Sequence, residues 1–318
     1  MENIKNTELD LLREKIFRIL KSHLAEDYAL KIKCAYLYGS ILKDKAFIDK
    51  FSDIDVLVIS DDETYSLRNI GGVYDVFERL SHKHGVNFDV TIYSSSYVLN
   101  GLKDGDPFLN VVVRDGILVI DNDCDDKIKQ HKFTITGKTL KYELNYCMVV
   151  LGRLFTDIIE HKLVSAVNRA IHLAKYSTVM LILSQTGELV IDDELIKQHL
   201  EDLGLSALYY GLSNLYNTRR KLAENNKIKD IKLHLSDLLY REKDPLKILI
   251  IQSYNIFSRA VAMCFPYNFP PFESFVKFLV IQNATYIKGA YFETEEVPTI
   301  MLGLSNGNIK IIKLKQAL

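Results

Sequence analysis

Two aspartates stand one residue apart in Asp53-Ile54-Asp55-Val56-Leu57-Val58, and a third lies in Phe88-Asp89-Val90. Side chains along a strand alternate between faces, so Asp53 and Asp55 share one face while Ile54, Val56 and Val58 turn into a core. Two carboxylates ~7 Å apart on one strand face are hard oxygen donors of the kind Mg²⁺ prefers. Asp89, flanked by two residues that bury, joins them if its strand lies beside theirs. Three convergent acids around two ions suit phosphoryl chemistry at a triphosphate. One ion lowers the pKa of an attacking hydroxyl and the other neutralises the leaving pyrophosphate, with the ions ~3.5–4 Å apart. Gly39-Ser40, upstream, offers the phosphate grip. Glycine lets a phosphate approach the backbone, the serine hydroxyl and nearby N–H groups can donate to its oxygens, and Lys43 and Lys45 add charge.

The elements that must position these residues are legible in the hydrophobic pattern. An amphipathic helix fits Glu8 to Leu24, with Leu11, Leu12, Ile16, Ile19 and Leu20 on one stripe. An apolar strand, Ile32 to Tyr38, runs into Gly39, and a second covers Ile54 to Ile59. A helix follows over Ser66 to His84, its start weakened by Gly71-Gly72. A strand over Asn87 to Tyr93, a polar link and a strand over Gly116 to Ile120 complete the region, with Asn87 and Thr91 on the face of Asp89. Strands interleaved with helices predict an α+β domain, a mixed sheet flanked by helices.

From Gly137 onward long helical periods take over: Leu140–Ile159, Leu163–Leu183, Asp192–Leu203, Leu205–Ala223 and Leu246–Cys264. Breaks at Gly187, Gly204, Glu224-Asn225-Asn226 and Pro245 separate them, which predicts an all-helical bundle. The tail returns to short β-rich runs, Tyr286–Phe292, Thr299–Gly303 and Ile309–Leu314, the last two joined by the turn sequence Ser305-Asn306-Gly307. The expected organisation is residues 1–125, 126–283 and 284–318. The tail is expected to cap the bundle, complete a sheet, or pair edges in a homodimer.

The chain has 318 residues, 40 Lys plus Arg against 41 Asp plus Glu, and 48% hydrophobic residues, enough to build cores and too apolar for a disordered chain. Residues 1–130 are net acidic and the remainder net basic, neither strongly enough for a general nucleic-acid binder. No apolar run reaches the ~18 residues that span a bilayer, and the N-terminus lacks a secretory pattern. A cytoplasmic protein with no membrane partner is expected. Cys34, Cys124, Cys147 and Cys264 show no metal-ligand spacing, so buried free thiols are expected, with neither a zinc site nor a disulfide.

Leu37-Tyr38-Gly39-Ser40, with Ser52-Asp53-Ile54-Asp55-Val56 and Phe88-Asp89-Val90, resembles the polymerase-β-type nucleotidyltransferase superfamily. The nearest groups are the minimal nucleotidyltransferases and the kanamycin nucleotidyltransferases. The likeness spans about residues 20–120 and includes Gly105-Asp106-Pro107-Phe108 and the strand from Asp115 to Val119. It departs at Ile41-Leu42-Lys43-Asp44-Lys45, where minimal members often carry Arg-Gly-Glu. The resemblance implies transfer of a nucleoside monophosphate from an NTP, with ATP the expected donor and two Mg²⁺ ions as cofactor. It assigns metal binding to Asp53 and Asp55, with Asp89 completing the metal and catalytic set and helping to activate the acceptor; nucleotide binding is expected of Gly39, Ser40 and Lys43 from the residues themselves. The acceptor stays open among a small molecule, a protein and RNA, and a non-catalytic NTP-binding scaffold is the alternative of a different class.

The helical half is similar either to a wall around an acceptor pocket or to the HEPN domains that pair with minimal nucleotidyltransferases. Arg169-Ala170-Ile171-His172 and Arg153 to His161 do not match the Arg–His spacing shared by active HEPN RNases, so RNase activity is not expected. Arg169 and His172 share a helix face. The basic stretch Arg219, Arg220, Lys221, Lys227, Lys229 and Lys232 reads either as a solvated helix end or as a contact for phosphates. Tyr209, Tyr210, Tyr216 and Tyr254 read as core or as stacking surfaces.

Overall fold

The computed structural model describes residues 2–24, 30–42, 53–224, 233–240, 244–265, 269–292, 298–304 and 306–313. Lys43, Lys45, Lys227, Lys229 and Lys232 lie outside these. The chain divides into two compact units, Met1–Thr139 and Leu140–Leu318.

The first unit runs α1 (Glu2–Leu24), β1 (Ile32–Tyr38), β2 (Ile54–Ser60), α2 (Leu67–His84), β3 (Phe88–Ser94), α3 (Ser95–Asp104), α4 (Pro107–Asp115), β4 (Ile117–Asp121) and α5 (Asp126–Lys129). Its sheet has the order β3-β2-β1-β4. β1 is antiparallel to both β2 and β4, whereas β2 and β3 are parallel. Parallel neighbours need a long crossover, and α2 supplies it. Ser66 starts that helix by accepting from the Asn69 N–H, and Gly85 ends it at φ 66°.

One sheet face carries Leu37, Ile54, Val56, Val58, Val90 and Ile92, all buried against Ile16 and Leu20 of α1 and Val73 and Phe77 of α2. The alternation that predicts this face is correct. The other face is covered too, over part of its length. Tyr36, Leu57 and Ile59 pack there against Val98 and Leu102 of α3 and Leu109 and Val112 of α4. These helices replace the polar link expected after β3. Gly105 ends α3 at φ 79°, and Asp106 caps α4 through the Leu109 N–H with Pro107 in its first turn. A Cβ at Gly105 would sit 2.7 Å from the Thr134 carbonyl oxygen and closer still to Thr139 Oγ1. The Gly-Asp-Pro sequence is thus one helix stop and one helix start back to back.

The cysteine expectation is corrected for two of the four. Cys34 and Cys124 are joined as a disulfide across 90 residues, with Cα atoms 5.3 Å apart. β1 and β4 are sheet neighbours, with Cys34 opposite Asp121, and Asp121 accepts from the Cys124 N–H and folds the chain back over β1. Cys147 and Cys264 are free thiols.

The second unit contains α6 (Thr139–Ile159, beginning at the boundary residue), α7 (Leu163–Thr186), α8 (Asp193–Asp202), α9 (Ser206–Glu224), α10 (Asp237–Tyr240), α11 (Pro245–Cys264) and α12 (Phe272–Ile281). The tail forms a separate antiparallel sheet of β5 (Ala284–Phe292), β6 (Pro298–Leu304) and β7 (Ile309–Lys313) in that order. It caps the bundle: the Thr156 hydroxyl of α6 accepts from the Ile287 N–H at 2.9 Å and stands 3.2 Å from its carbonyl oxygen. Tyr254 is fully buried among Phe257, Phe269, Phe272 and Phe275, its hydroxyl donating to the Pro270 carbonyl. It is therefore a core residue, while Tyr210 is 66% exposed. Among the described residues, no helix is long and apolar enough to cross a membrane.

Candidate active site

The acids lie at the end of the first unit's sheet that α3 and α4 leave open. Asp55 of β2 is the register partner of Asp89 on the parallel strand β3. Register partners on adjacent strands point to one face, ~4.8 Å apart along the hydrogen-bonding direction. Asp53 stands just ahead of β2, two residues before Asp55, and both Asp53 and Asp89 are exposed whereas Asp55 is half-buried. The condition set by the sequence, that the strand of Asp89 neighbours that of Asp53 and Asp55, is met.

Gly39 approaches from the other side. Tyr38, the last residue of β1, is paired with Asp55. Gly39 then takes φ 82° and turns the chain into a short 3₁₀ helix, Gly39–Leu42, whose Ile41 is fully buried. A Cβ at position 39 would overlap Asp55 Oδ2 and come within 2.8 Å of its Cγ. Glycine is required here twice over, by the left-handed backbone and by the carboxylate packed against it. The turn is held from α1 by Arg13, whose Nε donates to the Ile41 carbonyl at 2.7 Å while its Nη1 pairs with Asp10 at 2.9 Å. Sequence reasoning missed Arg13. Its only local signal is a cation beside the apolar stripe of α1, which most helices share. Phe108 of α4 packs edge-on against Tyr38 at 5.5 Å and closes the floor behind the turn.

The donor set is all-oxygen and anionic, which fits Mg²⁺. Among the described residues, no group of three or more His, Cys, Asp or Glu side chains is placed to hold an ion together. Asp55 and Asp89 stand as an adjacent pair, with Asp53 just ahead of β2. Ser40 sits in the turn beside Asp55, half-exposed.

Residues 14–125 match the family described as Polymerase beta, Nucleotidyltransferase, and over this part the chain is similar to the nucleotidyltransferase domains of that family. A crystal structure of a nucleotidyltransferase-like protein from Exiguobacterium sibiricum is similar at 12% identity and a TM-score of 0.28, covering 85% of this chain and 79% of that one. No curated protein matches the sequence.

Replacing Arg13 by Ala removes the tie to Ile41 without touching an acid. The expected result is a rise of about tenfold in KM for the triphosphate with kcat nearly unchanged, the loss of one charged hydrogen bond. Steady-state pyrophosphate release checks it.

In the second unit, Arg169 and His172 behave as structural residues. Arg169 lies 4.0 Å from Asp157. The His172 ring packs edge-on against Tyr176, and its Nδ1 is sealed from solvent with no hydrogen-bond partner among the described residues. Burial, reinforced by Arg169, Arg219 and Lys175, pulls its pKa from the usual 6.5 down to about 3. The unfolded chain therefore binds a proton that the native state refuses. Stability is full above pH ~6.5 and falls as pH drops toward 3, by about 2 kcal/mol at pH 5. Urea melts at pH 7.5 and pH 5 should show that loss, and His172→Leu should flatten it.

Proposed function

We propose that this chain is a Mg²⁺-dependent nucleotidyltransferase that moves a nucleoside monophosphate, AMP as first expectation, from an NTP to an acceptor hydroxyl with release of pyrophosphate. The observation that carries the reading is the in-register pair Asp55 and Asp89, with Gly39 packed against the Asp55 carboxylate. Asp53, just ahead of β2, and Asp55 within it would hold the ions, and Asp89 would complete the set from β3. Bound Mg²⁺ would acidify the acceptor hydroxyl and screen the triphosphate and departing pyrophosphate.

The chain's own groups do the rest. The Asp89 carboxylate, exposed and adjacent, takes the proton that the acceptor hydroxyl gives up. The left-handed turn at Gly39 presents backbone without a side chain, so the β- and γ-phosphates can lie against it, with the Ser40 hydroxyl as donor. Lys43 would add charge to that grip.

The test is pyrophosphate release from each of the four NTPs with Mg²⁺, over aminoglycosides, short RNA, peptides and the protein itself, followed by intact mass spectrometry. An acceptor carrying one added nucleoside monophosphate establishes the reading. Silence together with no Mg²⁺–NTP binding overturns it and leaves a scaffold.

A further inference from the structure

β3 is the edge strand of the sheet, and the backbone groups of its outer side can be assigned. The Ile54 N–H donates to the Asn87 carbonyl at 2.8 Å, so the polar groups of residues 87, 89, 91 and 93 face β2. Those of 88, 90, 92 and 94 face outward. Two hydrogen bonds agree: the Phe88 N–H donates to Ser81 Oγ of α2 at 3.4 Å, and the Tyr65 hydroxyl donates to the Ile92 carbonyl at 3.2 Å. These partners cover the two ends of the edge. The Val90 N–H and carbonyl between them have no such partner among the described residues.

Along this bare stretch runs a groove of ≈ 750 Å³ between α2 and β3. Phe77, Phe88 and Val90 give it an apolar wall, and Asp89 lines it together with Glu78 and His82. Among its described lining residues none is Lys or Arg, and the two acids set its charge. That chemistry repels a polyanion such as RNA and favours a neutral or basic occupant.

We propose that the free edge of β3 binds an extended peptide segment as an added strand, presenting a Ser, Thr or Tyr hydroxyl to Asp89. This rests on the transferase reading above and names its acceptor class. Edge groups on a half-apolar groove are the ingredients of strand addition, in which main-chain hydrogen bonds give affinity and alternate side chains give specificity. A strand added beside β3 places every second side chain on the face that carries Asp55 and Asp89, one strand spacing (~4.8 Å) from the Asp89 carboxylate. The hydroxyl oxygen then forms a bond to the α-phosphorus as the α–β phosphoanhydride bond breaks. Pyrophosphate leaves with the bonding pair, and the hydroxyl proton passes to Asp89. Glu78 and Asp89 further select Lys or Arg flanking the acceptor residue.

The experiment incubates the full chain with Mg²⁺ and α-³²P-labelled NTPs on an array of short peptides, each with a central Tyr, Ser or Thr. Label is expected on peptides with basic flanks, and should vanish with Asp55→Asn. The best peptide is then remade with N-methyl groups on alternate backbone amides, in two sets. One set should lose labelling at least about fivefold, the loss of the backbone hydrogen bond to the Val90 carbonyl, and the other should stay within about twofold. Equal sensitivity of the two sets overturns strand addition. A silent array from protein that binds Mg²⁺–NTP overturns the peptide acceptor and leaves the transferase reading standing. Failure to bind Mg²⁺–NTP overturns the transferase reading itself.

Discussion

Asp55→Asn should lower nucleotidyl transfer by at least about a thousandfold, roughly 4 kcal/mol of transition-state stabilisation, while the protein remains folded. Asparagine keeps the shape of the side chain and its place against Gly39, so packing at the turn is unchanged. What it removes is one negative oxygen from the pair that Asp55 makes with Asp89. Like charges side by side on neighbouring strands oppose folding, so thermal stability should stay level or rise slightly. Activity and stability therefore move in opposite directions under the proposed ion-binding role. Pyrophosphate release beside a thermal melt reads both. A variant that kept full activity with a native melt would remove Asp55 from the chemistry.

Gly39→Ala should be the other severe change, and here stability and activity fall together. Alanine at φ 82° costs about 1–2 kcal/mol in the left-handed region, and its Cβ overlaps Asp55 Oδ2. Asp55 is held by strand pairing on both sides, so relief comes only from swinging the carboxylate away from Asp89 or opening the turn. Either movement dismantles the site. The expected result is a loss of at least about a hundredfold in kcat/KM with about 2–3 kcal/mol of stability. Gly72→Ala is the matched control. Gly72 lies inside α2, and a Cβ there meets nothing within 4 Å. That exchange should stabilise by about 0.5–1 kcal/mol and leave activity alone. Two Gly→Ala changes with opposite signs separate the conformational role of Gly39 from a general effect of alanine.

The strands were readable because their signal is local. The apolar run from Ile54 to Ile59 marks the strand, and alternation at its start sets Asp55 apart from Ile54 and Val56 with no knowledge of neighbours; β2 begins at Ile54 as expected. The helix over Ser66 to His84 was legible from its apolar period despite Gly71-Gly72, and the structure adds the Ser66 cap and the terminal Gly85 that bound it. The region between β3 and β4 was not. Its two helices are of 10 and 9 residues, and the three serines at 94–96 resemble a link until Ser94 is seen accepting from the Tyr97 N–H. Short helices carry little periodic signal and owe their stability to packing against Leu57 and Ile59.

The sequence by itself determined that Asp53 and Asp55 share a face, that Gly39 closes a strand, and that an α+β region precedes a helical one. Each of these follows from bond geometry within a few residues. Strand order was a tertiary decision. It set Asp89 beside Asp55, brought Arg13 to the glycine turn, joined Cys34 to Cys124 and left β3 on the edge beside its groove. All four depend on which distant segments pair, and pairing is settled by burying both sheet faces at once, a condition that no single stretch of chain contains.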